Sequence, residues 1–469
     1  MEVIGRNREV RRLKDAMLSY KSELIAVYGR RRVGKTFLIR EVYKNDMILD
    51  FTGLYKGTLK DQLINFHNQL SIRNRKTEPI PKNWFEAFEM LERYVNSLRS
   101  KKKKVIFIDE FPWIATVRSK FLMWFENFWN TYCTKRDDLV VVICGSSASY
   151  MVNKIINNKG GLHNRISHKI RLMPFNLYET KLFLKSRNIK MEHYDILQLY
   201  MALGGIPHYL EKVKKGLSVA QNIDNLCFNY DAELKDEFNE VFASLFNNYG
   251  SHITIVKVLA KSKKGITRAE LLKQSNMKYN GYVSEVLQEL IESGFVTQYV
   301  PFGKKNRNSL FRLSDEYCMF YLKFIEPHKN QGEGVWAKIS AKQTYKIWSG
   351  YAFETVCLKH IAQIKKALGI SGVFSTQSSW QNNNSQIDLI IDRDDNRINL
   401  CEMKFYNGQF TIDKAYFENL RNKLNEFKET TKTRKGVHLL MLTSFGLRQN
   451  SHSLSIIENE ITSDCLFEN

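Results

Sequence analysis

The 469 residues exceed the roughly 250–300 at which a single hydrophobic core stops growing, so two to four domains are expected. A formal charge of +22 points to a polyanionic partner, DNA first, with the bias of a Lys- and Asn-rich genome as the other source of the excess. The longest apolar runs, such as 105–108 and 139–144, are far short of the roughly 20 residues of a membrane span, and the opening Met-Glu-Val-Ile-Gly-Arg has no signal-peptide character. Seven scattered cysteines without a C-x-x-C pair fit reduced thiols, so no membrane association and a cytoplasmic location are expected.

In chain order, the first strong pattern is residues 24–36, an apolar strand running into G-x-x-x-x-G-K-T. Gly29 and Gly34 let the backbone through Arg30, Arg31, Arg32 and Val33 fold around a phosphate chain with its N–H groups inward. Lys35 then reaches the β- and γ-phosphates and Thr36 holds Mg²⁺. The helix running from Lys35 into Phe37 turns its positive end to the anion. ATP with Mg²⁺ is the expected ligand.

Residues 105–108 read as a buried parallel strand with Asp109 and Glu110 at its carboxyl end, where open α/β sheets place their ligands. Asp109 suits the Mg²⁺ water shell, and Glu110 suits polarisation of an attacking water. Met47–Phe51 supplies a further strand, read as the additional one between the P-loop strand and the Asp109 strand. A third buried strand, 139–144, ends in Gly145-Ser146-Ser147. Ser146 or Ser147 is read either as the sensor of the γ-phosphate or as a helix cap. The layout is that of the additional-strand, catalytic-glutamate P-loop ATPases, an α/β class built on a parallel sheet.

The segments Ile4-Gly5-Arg6-x-x-Glu9, Asp109-Glu110-Phe111-Pro112-Trp113, Cys144 to Ser149 and Gly204-Gly205-Ile206-Pro207-His208-Tyr209 resemble the archaeal-type ATPases. These are a branch of the signal-transduction ATPases related to the AAA+ class. The resemblance implies that Ile4, Gly5 and Arg6 lie against the adenine and that Gly205 to Pro207 close over the nucleotide as a lid motif. The residues alone make Gly204-Gly205 a helix stop and Pro207 a helix start. Arg165 stands where related ATPases carry an arginine near a phosphate; an arginine finger and a surface loop residue are the two readings.

From Tyr249 the apolar spacing gives three short helices, then a strand at 295–300, a Gly-, Lys- and Asn-rich turn, and a strand at 310–313. This is the pattern of a winged helix-turn-helix, whose third helix and wing, with Lys304, Lys305 and Arg307, either contact DNA or pack beside the lid. Pro, Asn and paired Gly near residues 326–346 mark a boundary.

Beyond it lie Glu354 on a helix, Asp388 on a strand, and Glu402 and Lys404 two apart on the next strand. Strand alternation puts Glu402 and Lys404 on one face, and a hairpin through 392–397 brings Asp388 beside them. Asp388 and Glu402 suit a hard metal ion, and Lys404 suits positioning of water at a phosphodiester. Spacing and order resemble the PD-(D/E)XK nuclease-like fold, with Ile387 in place of proline before Asp388. Archaeal-type ATPases often end in such a domain, so the resemblance covers nearly the whole chain. The implied organisation is a P-loop ATPase core (1–180), a helical lid (181–247), a winged helix (248–327), a linker (328–344) and an α/β nuclease-like domain (345–469). Two functions follow. One is an ATPase whose nucleotide state controls a DNA-directed nuclease-like domain. The other is an ATP-dependent switch that regulates a protein partner or a homo-oligomer, the terminal domain serving as a scaffold.

Overall fold

The structure, a computed structural model, describes residues 2–74, 78–100, 102–157, 160–246, 248–262, 264–277 and 281–469, with the side chain at 117 outside the description. Residue 247, the expected end of the lid, lies outside the described residues. The chain forms two compact units, Met1–Met173 with Ser244–Asn247, and Pro174–Ala243 with Asn248–Asn469.

The first unit is built on β1 (Glu23–Tyr28), β2 (Met47–Thr52), β3 (Lys104–Asp109), β4 (Leu139–Gly145) and β5 (His168–Arg171). All pair in parallel, in the order β2-β3-β4-β1-β5. Strands β3 and β4 are buried throughout and β1 up to Tyr28, as interior strands of a parallel sheet must be. The strand between β1 and β3 is therefore β4, which corrects the expectation that Met47–Phe51 takes that place. That segment forms β2 at the sheet edge. Its burial alternates, and Asp50 meets the half-exposed Arg40 at 2.7 Å, a pairing that suits an edge and not the sheet interior. Alternate residues of the sheet, among them Leu24, Ala26, Ile106, Ile108, Val141 and Ile143, join one core with the helices Leu59–Asn74, Trp84–Ser97 and Phe121–Thr131. Trp84 fixes that layer by edge contacts to Phe121 at 4.6 Å and Phe66 at 5.7 Å.

In the second unit, the helix His193–Leu203 stops at Gly204, at φ +66°, and Pro207 opens a short helix. Gly205 must lack a side chain, since a Cβ there would stand 1.8 Å from the Phe175 carbonyl oxygen. Helices Tyr249–Lys261, Arg268–Ser275 and Gly281–Glu292 accompany β6 (Ile266–Thr267), β7 (Val296–Tyr299) and β8 (Leu310–Leu313), an antiparallel sheet ordered β6-β8-β7. The turn between β7 and β8 does not stand free. The Phe302 N–H donates to the Ser379 carbonyl at 2.7 Å, and its ring packs 5.2 Å from Phe427.

The segment 328–344, expected as a linker, is packed. Trp336 is buried against Phe228 and Phe320, and the Asp224 carboxylate accepts the N–H groups of Gly334 at 2.7 Å and Trp336 at 2.9 Å. Positive φ at Gly332 and Gly334 turns the chain there, while the tryptophan anchors it.

The terminal sheet contains β9 (Ser375–Gln381), β10 (Gln386–Arg393), β11 (Arg397–Lys404), β13 (Gly436–Thr443) and β15 (Asn459–Thr462), with β12 (Phe410–Thr411) and β14 (Leu447–Arg448) as a separate pair. Its order is β15-β13-β11-β10-β9, antiparallel from β9 to β11 and parallel from β11 to β15.

His360 ties two helices of this unit together. Its Nδ1 donates to the Val356 carbonyl at 2.7 Å, and its Nε2 accepts the Leu177 N–H at 3.0 Å, one of the donors left open at the start of the helix Leu177–Ser186. Burial holds the imidazole down at about 4 from an ordinary 6.5. Between those values the unfolded chain takes a proton that the folded chain refuses, so stability is full above pH 6.5 and falls as pH drops towards 4, by about 3 kcal/mol. The thermal midpoint should fall over that range. His360→Gln, which cannot titrate, should have a lower midpoint at pH 7 and a shallower loss on acidification.

Candidate functional site

At the carboxyl ends of β1, β3 and β4 the chain sets three polar groups side by side. The loop after β1 turns through Gly29 at φ +148°, Arg32 at +70° and Gly34 at +88°. Gly29 is fixed by space as well as by torsion, because a Cβ there would come within 2.3 Å of the Leu172 carbonyl oxygen. Lys35, buried at the start of the helix Lys35–Val42, donates to the carbonyls of Gly29 and Arg30 at 2.9 Å each and to Ser146 Oγ at 3.1 Å. Phosphate oxygens are the natural replacements for those acceptors.

Thr36 Oγ1 donates to Asp109 Oδ2 at 2.7 Å, so the two expected Mg²⁺ groups already adjoin. Both are hard oxygen donors, and the pair fits Mg²⁺ in type and position. Glu110 takes a left-handed backbone, φ 47° and ψ 45°, that starts the short helix Phe111–Ile114. Its carboxylate accepts from Ser146 Oγ at 2.6 Å and from the Ser146 N–H at 3.2 Å. Lys35, Ser146 and Glu110 thus form one hydrogen-bonded chain, and it is Ser146, not Ser147, that joins the two motifs.

Of the remaining sequence-derived residues, Arg6 is buried, and its Nη2 donates to the Val33 carbonyl at 3.4 Å. Ile4, Gly5 and Thr36 are partly exposed, and Arg31 and Phe37 are exposed. Arg165 is exposed on the loop before β5. Pro207 lies in the second unit.

The second constellation sits on the terminal sheet. The β10–β11 hairpin pairs Leu389 with Cys401 and Asp392 with Ile398, a register that carries Asp388 to Glu402 one step further on. Glu354 comes from the helix Gln343–Lys359. Burial pushes its carboxyl up to about 8, Asp388 and Glu402 repel its charge, and Arg312 and Lys404 attract it. The four residues taken from the sequence therefore act within one electrostatic cluster.

Each acid already has a partner. Glu402 accepts from Lys423 Nζ at 2.6 Å and from the Tyr416 hydroxyl at 3.1 Å. Asp388 accepts from the Gln386 amide, and Lys404 lies 4.9 Å over the Tyr416 ring. Arg312 approaches Glu354 at 3.8 Å and donates to Thr355 Oγ1 at 2.9 Å. Among the described residues, no three His, Cys, Asp or Glu side chains are gathered into a group ready to hold a metal ion.

Sequence reasoning missed Arg312, Tyr416 and Lys423. Tyr416 and Lys423 share a helix face with the buried Leu420 and Phe427, and Arg312 is the one charge in an otherwise apolar strand; those were the available signals.

Residues 4–213 match a family described as an ATPase domain predominantly from Archaea, and residues 320–423 match a family of archaeal and bacterial proteins of unknown function. An uncharacterized protein of Methanocaldococcus jannaschii is 26% identical over 398 residues, covering 84% of this chain and 85% of its own. Among solved structures, the Walker-type ATPase of Pyrococcus abyssi aligns with 69% of this chain and 96% of its own, at 15% identity and a TM-score of 0.49. The ORC2 protein of Aeropyrum pernix, in ADPNP-ADP complexes, aligns with 72% of this chain and 96% of its own, at 17% identity and a TM-score of 0.42. The family match and the loop geometry together make the N-terminal part an archaeal-type, ATP-binding ATPase domain. Among the described residues, no helix is long and apolar enough to cross a membrane.

Gly29→Ala combines an unfavourable torsion with a backbone collision, and should cost about 2–5 kcal/mol of stability or distort the loop. Thermal unfolding with and without ATP reads this out: either a lower midpoint or the loss of the ATP-induced rise is expected.

Proposed function

We propose that the protein is a Mg²⁺-dependent ATPase whose nucleotide state controls a DNA-directed, nuclease-like terminal domain. The observation that carries the ATPase half is the chain Lys35–Ser146–Glu110 beside the Thr36–Asp109 pair. Thr36 and Asp109 would hold Mg²⁺, which supplies charge neutralisation on the phosphate oxygens. Lys35 exchanges its carbonyl acceptors for phosphate oxygens. Ser146, relieved of Lys35, keeps or releases Glu110, which takes a proton from the attacking water. Burial pushes the Cys144 thiol, beside Asp109, well above its ordinary range, so it remains a neutral packing group.

For the terminal domain, the support is the mutual influence of Asp388, Glu402 and Lys404 on the neighbouring strands β10 and β11 and Glu354 on the helix Gln343–Lys359. Asp388 and Glu402 are oxygen donors of the type Mg²⁺ takes, and a cation held through Glu402 competes with the Lys423 ammonium for it. Lys404 would stabilise charge on a phosphodiester. The net charge of +22 and the exposed Lys304, Lys305 and Arg307 of the hairpin turn, which we read as the wing of a winged helix, supply electrostatic attraction for DNA.

The occupied state of the acids favours a second reading, an ATP-dependent switch with the terminal domain as a scaffold. Lys35→Ala should abolish ATP hydrolysis, while Glu402→Gln should abolish DNA cleavage and leave hydrolysis at the wild-type rate. If the wild-type protein with Mg²⁺ or Mn²⁺ leaves supercoiled, linear and single-stranded DNA uncut, with and without ATP, the nuclease half is wrong and the switch stands. DNA affinity should also fall by roughly 10³-fold or more between about 50 and 200 mM salt if six or more phosphates are neutralised. A weak salt dependence in a filter-binding titration would argue for a protein partner instead.

A further inference from the structure

The turn that carries Glu110 is gripped from two sides. On one side stands Gly145, at the end of β4, where a Cβ would come within 2.9 Å of Pro112 Cδ. On the other side the loop that follows β2 meets the turn. The Gly53 N–H donates to the Asp109 carbonyl at 3.0 Å, and a Cβ on Gly53 would stand 2.9 Å from the Glu110 carbonyl oxygen and 2.6 Å from Ile114 Cγ1. The rings of Tyr55 and Trp113 pack 5.3 Å apart across the same contact. These contacts matter because Glu110 has φ 47° and ψ 45°, a backbone that disfavours any residue with a Cβ and persists only where the surroundings hold it.

Gln62 closes the contact between loop and turn. It lies on the helix Leu59–Asn74 in one buried stripe with Phe66 and Leu70, and only 2% of it is exposed. An amide buried there is tolerated because its hydrogen bonds are made, and all of those found run to backbone groups. Its Oε1 accepts the Leu54 N–H at 3.0 Å, and its Nε2 donates to the carbonyls of Leu54 at 2.8 Å and Trp113 at 3.3 Å. The Trp113 N–H donates in turn to the Glu110 carbonyl at 2.9 Å. One side chain thus joins helix, loop and turn, and the connection ends on the residue whose carboxylate is held by Ser146. Asn65, one turn further along the helix, donates instead to the Thr52 carbonyl of β2 at 2.8 Å.

We propose that Gln62 is a positioning residue for ATP hydrolysis, acting through the Trp113 and Glu110 peptides to keep the Glu110 backbone in place. The carboxylate can then leave Ser146 for the attacking water while its anchor stays fixed. Proton transfer needs the base within hydrogen-bond reach of that water, so a turn that drifts slows the chemical step. Lys35 and Thr36 lie on the helix Lys35–Val42, outside the clamp, and continue to hold the phosphates and Mg²⁺. The loss therefore falls on kcat and not on KM. The inference rests on the reading of Glu110 as the group that takes the proton.

The test is steady-state ATP hydrolysis by the full chain with Mg²⁺, alongside the rise in thermal midpoint that ATP induces. Gln62→Met, similar in size and without the amide, should lower kcat about ten- to a hundredfold while KM stays within about threefold and the ATP-induced rise is kept. Gly53→Ala, which presses the loop against the Glu110 carbonyl, should act in the same direction and keeps the test open should Gln62→Met fold poorly. Asn65→Ala, which loses a bond from the same helix to β2, should keep the wild-type kcat. In a Glu110→Gln background, single-turnover measurement of the residual rate should show no further loss from Gln62→Met, since the two residues act as one unit. Wild-type kcat in folded Gln62→Met, parallel changes in kcat and KM, equal losses in Gln62→Met and Asn65→Ala, or the same fold-loss in the Glu110→Gln background would each overturn the proposal. Glu110→Gln with wild-type hydrolysis would overturn the reading of Glu110 as well. A Glu110→Gln chain that has lost hydrolysis beside a Gln62→Met chain that has not would overturn the clamp alone.

Discussion

Placing β4 between β1 and β3 is the constraint on which the nucleotide site depends. Because neighbouring strands of a parallel sheet run in register, the turns that follow them emerge at one edge. The turn after β1 delivers Lys35, the end of β3 delivers Asp109 and Glu110, and the end of β4 delivers Ser146 between them. Exchanging β4 for β2 in that middle position would leave Lys35 and Glu110 without a bridging hydroxyl. The complete burial of β4 reflects the same requirement, since an interior parallel strand is covered on both faces.

In the second unit the comparable constraint is a buried charge. Arg312 lies in a strand whose four residues are all buried, and an unpaired guanidinium there would be strongly destabilising. It reaches out of β8 to Thr355 and towards Glu354 on the helix Gln343–Lys359, so the hairpin and the acid-bearing helix are held together by a polar contact with directional demands. The hairpin tip reinforces this from the other end, where Phe302 joins the terminal core beside Phe427. The hairpin turn, read from the sequence as a wing, docks on the terminal sheet through Phe302.

These cases separate what local sequence conveys from what it does not. The P-loop and the Asp109-Glu110 strand end were readable because each sets its residues a few positions apart on one element, and the same holds for the placing of Glu402 and Lys404 on one strand. The position of β2 was misjudged because strand order is a long-range property, although the alternating burial of Met47–Thr52 was hinted at by its polar Asp50 and Thr52. Arg312, Tyr416 and Lys423 come from elements remote in the chain from the acids they engage. The docking of the hairpin turn was signalled only by Phe302, one aromatic in a stretch of Gly, Lys and Asn. The supposed linker at 328–344 failed for a related reason: glycines indicate where a chain turns, and the buried Trp336 decides that it stays packed.

Within the second unit, a path of packed rings joins the helix that ends at Gly204 to the strand that carries Lys404. Tyr194, on the helix that ends at Gly204, stacks on Phe405 with ring centres 4.9 Å apart and planes 4° from parallel. Phe405 directly follows Lys404 and also packs 5.7 Å from Phe353, the residue before Glu354. His193, next to Tyr194, stacks at 4.1 Å on Phe467 near the end of the chain. Close-packed side chains have no slack to absorb a tilt of that helix. Movement of the Gly204–Pro207 segment must therefore repack Phe405, and with it the backbone that carries Lys404 and Glu354.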